Sequence, residues 1–235
     1  LMVWLAINPN LLNYKTMLEL TEEVFKANLE LVECKLVLFT WGSASAIDRT
    51  KGVVIIKPTG ILYDDMRPGD MVMVDLNGKI IDGKYKPSLD IQLHLAIYRN
   101  FTKVGGIAHT RSTAATSWAQ AGKGIPVLGT THADFFRGEI PCTHQLTEEE
   151  IGNNYEEATG RAIIDRFADI DPMKVPAALI YSRGPIVWGT DVNEAVRNAS
   201  ILEEIAKMAI NTLMINPTFP IQKDLLAKHY DRRHK

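Results

Sequence analysis

The sequence predicts an α/β protein in which a mixed, largely antiparallel sheet carries helices packed on it. Three observations point there. The apolar period switches between helical and strand spacing along the chain. "DMVMVDLNGKII" (70–81) reads as a hairpin. Capping signatures open helices close to the strand segments.

The elements follow in order. "TMLELTEEVFKANLELVECK" (16–35) reads as a helix, because Leu20, Val24, Ala27 and Leu31 recur at helical spacing and Thr16 with Glu19 fits a capping box. "LVLFTW" and "VVIIKPTG" are rich in β-branched and aromatic residues and read as strands, with "DRTKG" as the turn between them. Within 70–81, Asn77–Gly78 is expected to form a type I′ turn. "LDIQLHLAIYRN" reads as a helix capped by Ser88 or Asp90. "GGIAHT" is a strand, "STAATSWAQAG" a helix ending at glycine, and "IPVLG" a short strand. Thr147 with Glu150 opens a short helix, and 154–168 form a longer one. "PAALIYSRG" and "PIVWG" read as strands broken by a Gly–Pro turn. Asp191 with Glu194 caps a helix over 192–215, which ends at Asn216–Pro217, and "QKDLLAKHY" is a last short helix.

With 235 residues, 46% of them hydrophobic, the chain can bury a sizeable core, and a single domain is expected over 16–235 after an N-terminal extension over 1–15. The extension's "LMVWLAI" is too short to span a membrane and lacks the basic flank of a signal peptide. A net charge of −2 leaves no electrostatic footprint for nucleic acid. The two cysteines, Cys34 and Cys142, lack metal-ligand spacing and read as reduced and buried. The expectation is a cytoplasmic protein with no membrane or nucleic-acid partner.

Four clusters are candidates for chemistry. "TWGSAS" (40–45) places small hydroxyl residues at a strand end, where backbone N–H groups can meet an anion; it also reads as a plain tight turn. "KPTG" (57–60) joins the charge of Lys57, the hydroxyl of Thr59 and the free backbone of Gly60, as a phosphate cradle or an ordinary Pro–Gly turn. It is not a P-loop, because the Gly-rich run and the terminal Lys–Ser/Thr pair are missing. In "KPSLD", Ser88 and Asp90 stand at a helix start, suited to capping or to a phosphate. In "GTTHADFF", His132 and Asp134 lie two apart, a proton-carrying pair or a structural one. "IAHTRST" puts His109 and Arg111 on one face of an extended segment. His94 reads as a packed or hydrogen-bonded histidine, His144 as a loop residue, and Trp118, Trp188 and Phe135 as packing groups.

From about Leu18 to His234 the chain carries, in order, "TWG", "SAIDR", "IKPTG", "DDM", "GKYKPS", "WAQAG", "GTTHAD", "IPCT", "TEEEI", "WG", "LEEIAKMAI" and "LLAKHY". In these segments it resembles the L-ribulose-5-phosphate 4-epimerase family of the class II aldolase superfamily. The resemblance implies a three-layer α/β/α fold, a homotetramer with interfacial active sites, and a divalent metal, usually zinc. It implies a pentulose phosphate substrate and a place in arabinose metabolism. The implied reaction is retro-aldol cleavage, rotation of the aldehyde fragment and aldol re-closure. The family's metal ligands are one aspartate and three histidines. By resemblance Asp90 and His109 hold two of these positions, while Arg111 (in "HTR") and Arg183 (in "YSRGP") stand where the family has histidine. Asp134 matches the acid that exchanges a proton with substrate, and His229 matches a histidine near the C-terminus. The family tyrosine that serves the opposite proton transfer falls beyond "DRRHK". Lys57, Thr59, Gly60 and Ser88 match the phosphate side, with Leu89 in place of a second serine and Ser43 in place of an asparagine near the substrate.

Arginine has no electron pair to give a metal. Two remaining ligands fall short of the usual three of a catalytic zinc site. Metal binding is therefore expected to be weak or absent. Asp90 alone is expected to face both guanidinium groups, leaving a cleft that is wet or holds another anion. Two functions follow: a pentulose-phosphate 4-epimerase of reduced competence, or an inactive homologue that binds a sugar phosphate or another anion, or serves in assembly.

Overall fold

The computed structural model describes residues 9–218 and 221–234, and the "LMVWLAI" start lies outside them. The strands are β1 Ser43–Asp48, β2 Val53–Ile56, β3 Val72–Asp75, β4 Ile80–Asp82, β5 Gly106–His109, β6 Ala177–Ile180 and β7 Gly184–Gly189. They form one sheet in the order β4-β3-β2-β1-β5-β7-β6, and each of its ladders is antiparallel. The helices are α1 Pro9–Glu33, α2 Ile91–Asn100, α3 Thr113–Gln120, the single turn α4 Thr130–Ala133, α5 Glu148–Arg166, α6 Val192–Ile215 and α7 Lys223–Arg233. Helix α6 packs along β5 and β7 and against α1 and α3. Helices α2 and α5 pack on each other. Helix α2 meets the face of β1 that carries Ser45, whose hydroxyl lies 2.7 Å from His94 Nδ1 and 2.8 Å from the Tyr98 hydroxyl. The expected α/β fold with flanking helices is observed; the sheet, expected to be mixed and largely antiparallel, is antiparallel throughout its ladders.

Several local expectations are corrected. Helix α1 spans Pro9–Glu33, so Thr16 lies in its interior and is no cap. "LVLFTW" forms no strand: Leu38, Phe39 and Trp41 are exposed, and Phe39 takes a left-handed φ of 53°. The strand there is "SASAID", small residues buried along most of its length. Beyond the reach of β2, the Asn28 side chain stands in for a neighbouring strand: it accepts from the Ala44 N–H at 2.9 Å and donates to its C=O at 3.0 Å. "IPVLG" gives a single bridge, Ile125 to Ile140.

The β3–β4 turn is not type I′, since only Gly78 has positive φ (85°). The Gly78 N–H donates to the Asp75 C=O at 2.9 Å, and the Asp75 carboxylate accepts from the Asn77 and Lys79 N–H groups. That is a type I turn with glycine at the bulge position. The β6–β7 turn is built on Ser182 (φ 58°), and Gly184–Pro185 already belong to β7. The two helices expected over 147–168 merge into α5, kinked at Asn154 (φ −157°, ψ 85°), with the Thr147–Glu150 capping box in place. Cys34 is exposed and Cys142 half-buried, contrary to expectation. Trp188 is fully buried against Phe101 and Phe167.

Strand β5 carries His109 to the site, and its start is held by close backbone packing. A Cβ on Gly106 would lie 2.3 Å from the backbone of Asp191 and Val192. Gly106→Ala is expected to lower stability by about 2 kcal/mol, because backbone rather than a side-chain tip must move. A urea midpoint unchanged from the parent would show that the β7–α6 turn yields freely.

Candidate functional site: a charged cleft at the start of α2

Two segments tie the phosphate side together. The Ser88 N–H donates to the Lys57 C=O at 3.0 Å, and the Thr59 N–H to the Lys86 C=O at 3.0 Å. Lys57, Thr59 and Ser88 thereby line one wall of a cleft of about 610 Å³. Gly60 stands beside it at φ 76°, with open space where a Cβ would be. Leu89 is 75% exposed and lines the same cleft. Lys57 is buried; its ammonium donates to the Thr40 and Pro58 C=O groups at 3.3 and 3.4 Å and lies 4.9 Å above the Tyr63 ring. Burial pushes its pKa down to about 8, against the opposing pull of Asp90. Of the expected backbone donors of 42–45, Ser43 onward belongs to strand β1 and the Ala44 N–H serves Asn28, while Gly42 lines the cleft.

The opposite wall holds the charges. Asp90 sits at the start of α2 but caps nothing. Its Oδ1 accepts from Arg183 Nη2 at 2.7 Å, and its Oδ2 accepts from the Ser43 hydroxyl at 3.1 Å. Arg183, at the β6–β7 turn, also donates to Glu156 at 3.0 and 3.2 Å, with its guanidinium 5.1 Å from the Tyr155 ring. His109 is fully buried at the end of β5, its Nε2 4.0 Å from Asp90 Oδ1. Arg111 Nη1 donates to that same Nε2 and to the Thr110 C=O. Arginine is a donor only, so Nε2 accepts and Nδ1 carries the ring proton; Nδ1 is buried without a partner among the described residues.

Burial works to raise the Asp90 carboxyl, but His109, His94, Arg183 and Arg111 together hold it well below the ordinary range. Burial holds the His109 imidazolium well below its usual value; Asp90 opposes this, and Arg111 and Arg183 add to it. The structure thus brings Asp90, His109, Arg111 and Arg183 together. It corrects one expectation: Asp90 is not the sole counter-charge. Glu156, just past the α5 kink, is the second carboxylate, and nothing in "NNYEEAT" marks it in sequence.

The other candidates lie elsewhere. Asp134 Oδ1 is 3.0 Å from His229 Nδ1, joining α4 to α7, and neither residue lines the cleft. His132 does not pair with Asp134; its Nε2 bonds the Gly138 C=O at 2.8 Å.

The arrangement does not fit a divalent ion. The Asp90 oxygen and the His109 nitrogen that face each other are each taken by a guanidinium, and among the described residues no three His, Cys, Asp or Glu side chains group to hold a metal. With the histidines neutral, three cations (Lys57, Arg111 and Arg183) meet two carboxylates (Asp90 and Glu156) along this cleft. The excess of positive charge suits an anion.

The class to which this sheet and its helices belong is shown by comparison with known proteins. The chain belongs to the Class II Aldolase and Adducin N-terminal domain family, whose model matches residues 22–210. It is 49% identical over 219 residues to the L-ribulose-5-phosphate 4-epimerase UlaF of Salmonella paratyphi B, covering 93% of this chain and 96% of that protein. The UlaF of Salmonella typhi matches at the same identity and coverage. Among solved structures, an L-fuculose 1-phosphate aldolase superposes with a TM-score of 0.76 at 22% identity, covering 91% of this chain and 96% of the other. YgbL of Escherichia coli gives a TM-score of 0.71 at 24% identity, over 91% and 98%. These two share the fold.

Proposed function

We propose that the protein is of the L-ribulose-5-phosphate 4-epimerase type, interconverting L-ribulose 5-phosphate and D-xylulose 5-phosphate by retro-aldol cleavage and aldol re-closure. One observation carries this reading: Lys57, Thr59 and Ser88 share a cleft with Asp90 in a chain 49% identical to proteins named as that epimerase. The ammonium of Lys57 and the hydroxyls of Thr59 and Ser88 receive the phosphate, and Gly60 lets the backbone approach it. Ser43 supports the substrate end through Asp90. Asp134 and His229 form the proton-carrying pair and, in the homotetramer that family resemblance implies, serve a neighbouring subunit's cleft. The reading places the protein in the cytoplasm, with weak or no metal binding in place of the family's zinc.

A second reading, favoured by the guanidinium groups on Asp90 and His109, is a sugar-phosphate-binding homologue without turnover. Calorimetric titration with L-ribulose 5-phosphate, followed by NMR of the incubated sugar, separates the two. Binding with formation of D-xylulose 5-phosphate supports the epimerase, and binding without it supports the second reading. Absence of binding overturns both.

The phosphate end has its own signature. Phosphate esters bind the protonated form of Lys57, so above pH 8 affinity should fall about tenfold per pH unit. Tyr63, whose hydroxyl burial pushes well above its ordinary value, and Asp90 are the titratable groups that face Lys57. Stability runs the other way. Unfolded lysine titrates near about 10.4, so between about 8 and 10.4 the unfolded chain holds the extra proton and stability rises with pH. Lys57→Ala should remove the pH dependence of binding and weaken the phosphate ester more than the neutral sugar. Equal loss for both ligands would assign Lys57 a structural role instead.

A further inference from the structure

We propose that the cleft takes a ligand with two anionic ends, a phosphorylated sugar acid whose carboxylate sits on Arg111. The phosphate end rests on the reading above; the carboxylate end is new. The two guanidinium groups of the cleft are not equivalent. Arg183 is met by two carboxylates, Asp90 and Glu156. Arg111 lines the same cleft, half-buried, and no carboxylate among the described residues lies within ion-pair distance of it. Its Nη1 is engaged with His109 Nε2 and the Thr110 C=O. A guanidinium has five N–H donors in a planar fork, and the Nε–Nη2 side of Arg111 has no described protein acceptor. That side matches the two coplanar oxygens of a carboxylate.

The surroundings fit the same ligand. The bonds of Nη1 to His109 and Thr110 fix the orientation of the guanidinium before a ligand arrives. Gly184 is flanked by Arg111 and Thr116: a Cβ there would lie 3.5 Å from Arg111 Cδ and 3.2 Å from Thr116 Oγ1. Thr116 Oγ1 is buried, has no partner among the described residues, and belongs to a residue of the cleft wall. One helical turn on, Gln120 of α3 lines the same wall. Gln120 offers hydrogen bonds to hydroxyls next to the acid, and the Thr116 hydroxyl, once turned toward the cleft, gains the partner it lacks. An uncharged carbonyl end, as in a simple pentulose phosphate, gives the Nε–Nη2 side of Arg111 no charged acceptor.

The test is calorimetric titration of the full chain near neutral pH with 5-phospho-D-arabinonate, D-arabinose 5-phosphate, D-arabinonate and L-ribulose 5-phosphate. The phosphorylated acid is expected to bind at least about tenfold more tightly than either phosphorylated sugar, the increment of a charge-assisted bidentate contact. Arg111→Leu should erase that difference, weakening the phosphorylated acid at least about tenfold more than D-arabinose 5-phosphate. Equal affinity of acid and sugar on the unmodified protein overturns the inference and leaves the phosphate reading standing. So does a loss in Arg111→Leu that is the same for both. If no phosphate ester binds, the cleft is not a sugar-phosphate site, and both readings fall. The comparison on the unmodified protein decides the matter even if the variant does not fold.

Discussion

Arg111→His combined with Arg183→His is expected to raise affinity for zinc by on the order of a thousandfold or more. Each guanidinium about 4 Å from a bound cation repels it by roughly 4 kcal/mol per unit pair at an effective dielectric of about 20. Each also engages a ligand atom, Arg183 on Asp90 and Arg111 on His109. The double change removes both charges, frees both atoms and supplies two imidazoles, giving one aspartate and three histidines. Either single change leaves one guanidinium in place, so the two effects should be strongly non-additive. Elemental analysis of freshly purified protein and competition against a chromophoric chelator measure the outcome. One tightly held divalent ion per chain in the unmodified protein would overturn this account. Turnover should rise less than affinity, because Leu89 still lines the phosphate side.

The second large effect concerns stability. Arg183→Leu is expected to cost about 4 kcal/mol at neutral pH, in the range for removing one partner of a buried ion pair. The Arg183 and Asp90 side chains are 10% and 11% exposed, and Glu156 is 26% exposed, so solvent screens the first pair little and the second more. Without Arg183, Glu156 loses its cation, and Asp90 keeps Ser43 and the more distant Arg111. The sign with pH follows from Asp90. Its folded pKa is held below the unfolded value of about 3.9, so the contribution is fully present above about pH 4 and is lost as pH falls through the folded value. The gap between parent and variant should therefore narrow in acid. Urea midpoints at neutral pH and near pH 3 give the comparison. A loss under about 1 kcal/mol at neutral pH would mean that water already compensates the carboxylates.

How much was legible in sequence depends on the kind of signal. Helix α1 announces itself by its period, α3 by its closing glycine and α6 by its Asp191 cap, and the 70–81 hairpin by alternation around Asn77–Gly78. Strand β1 does not. "SASAID" has neither bulk nor alternation, while the adjacent "LVLFTW" has the right composition but no strand to pair with. Propensity lost there to the supply of backbone partners. At the site, spacing alone could put His109 and Arg111 on one face, as the structure confirms. It could not join Asp90 to Arg183, 93 residues away; that expectation came from family resemblance. Glu156 escaped both routes. Its segment reads as an ordinary solvated helix face, and the Asn154 kink that redirects the helix carries no motif.

The strand order has a consequence for how the chain folds. Strand β5 lies between β1, whose last residue is 58 positions before it, and β7, whose first is 75 positions after it. Neither neighbour is reached through a hairpin, so both pairings close long loops, the entropic cost that slows β-rich topologies. While β5 is unplaced, β1 and β7 are open edges able to recruit a second nascent chain. The cleft's carboxylate and guanidinium groups then stand apart and compensate nothing. Lower temperature during synthesis, which slows the competing association of open edges, is therefore expected to raise the yield of folded chain.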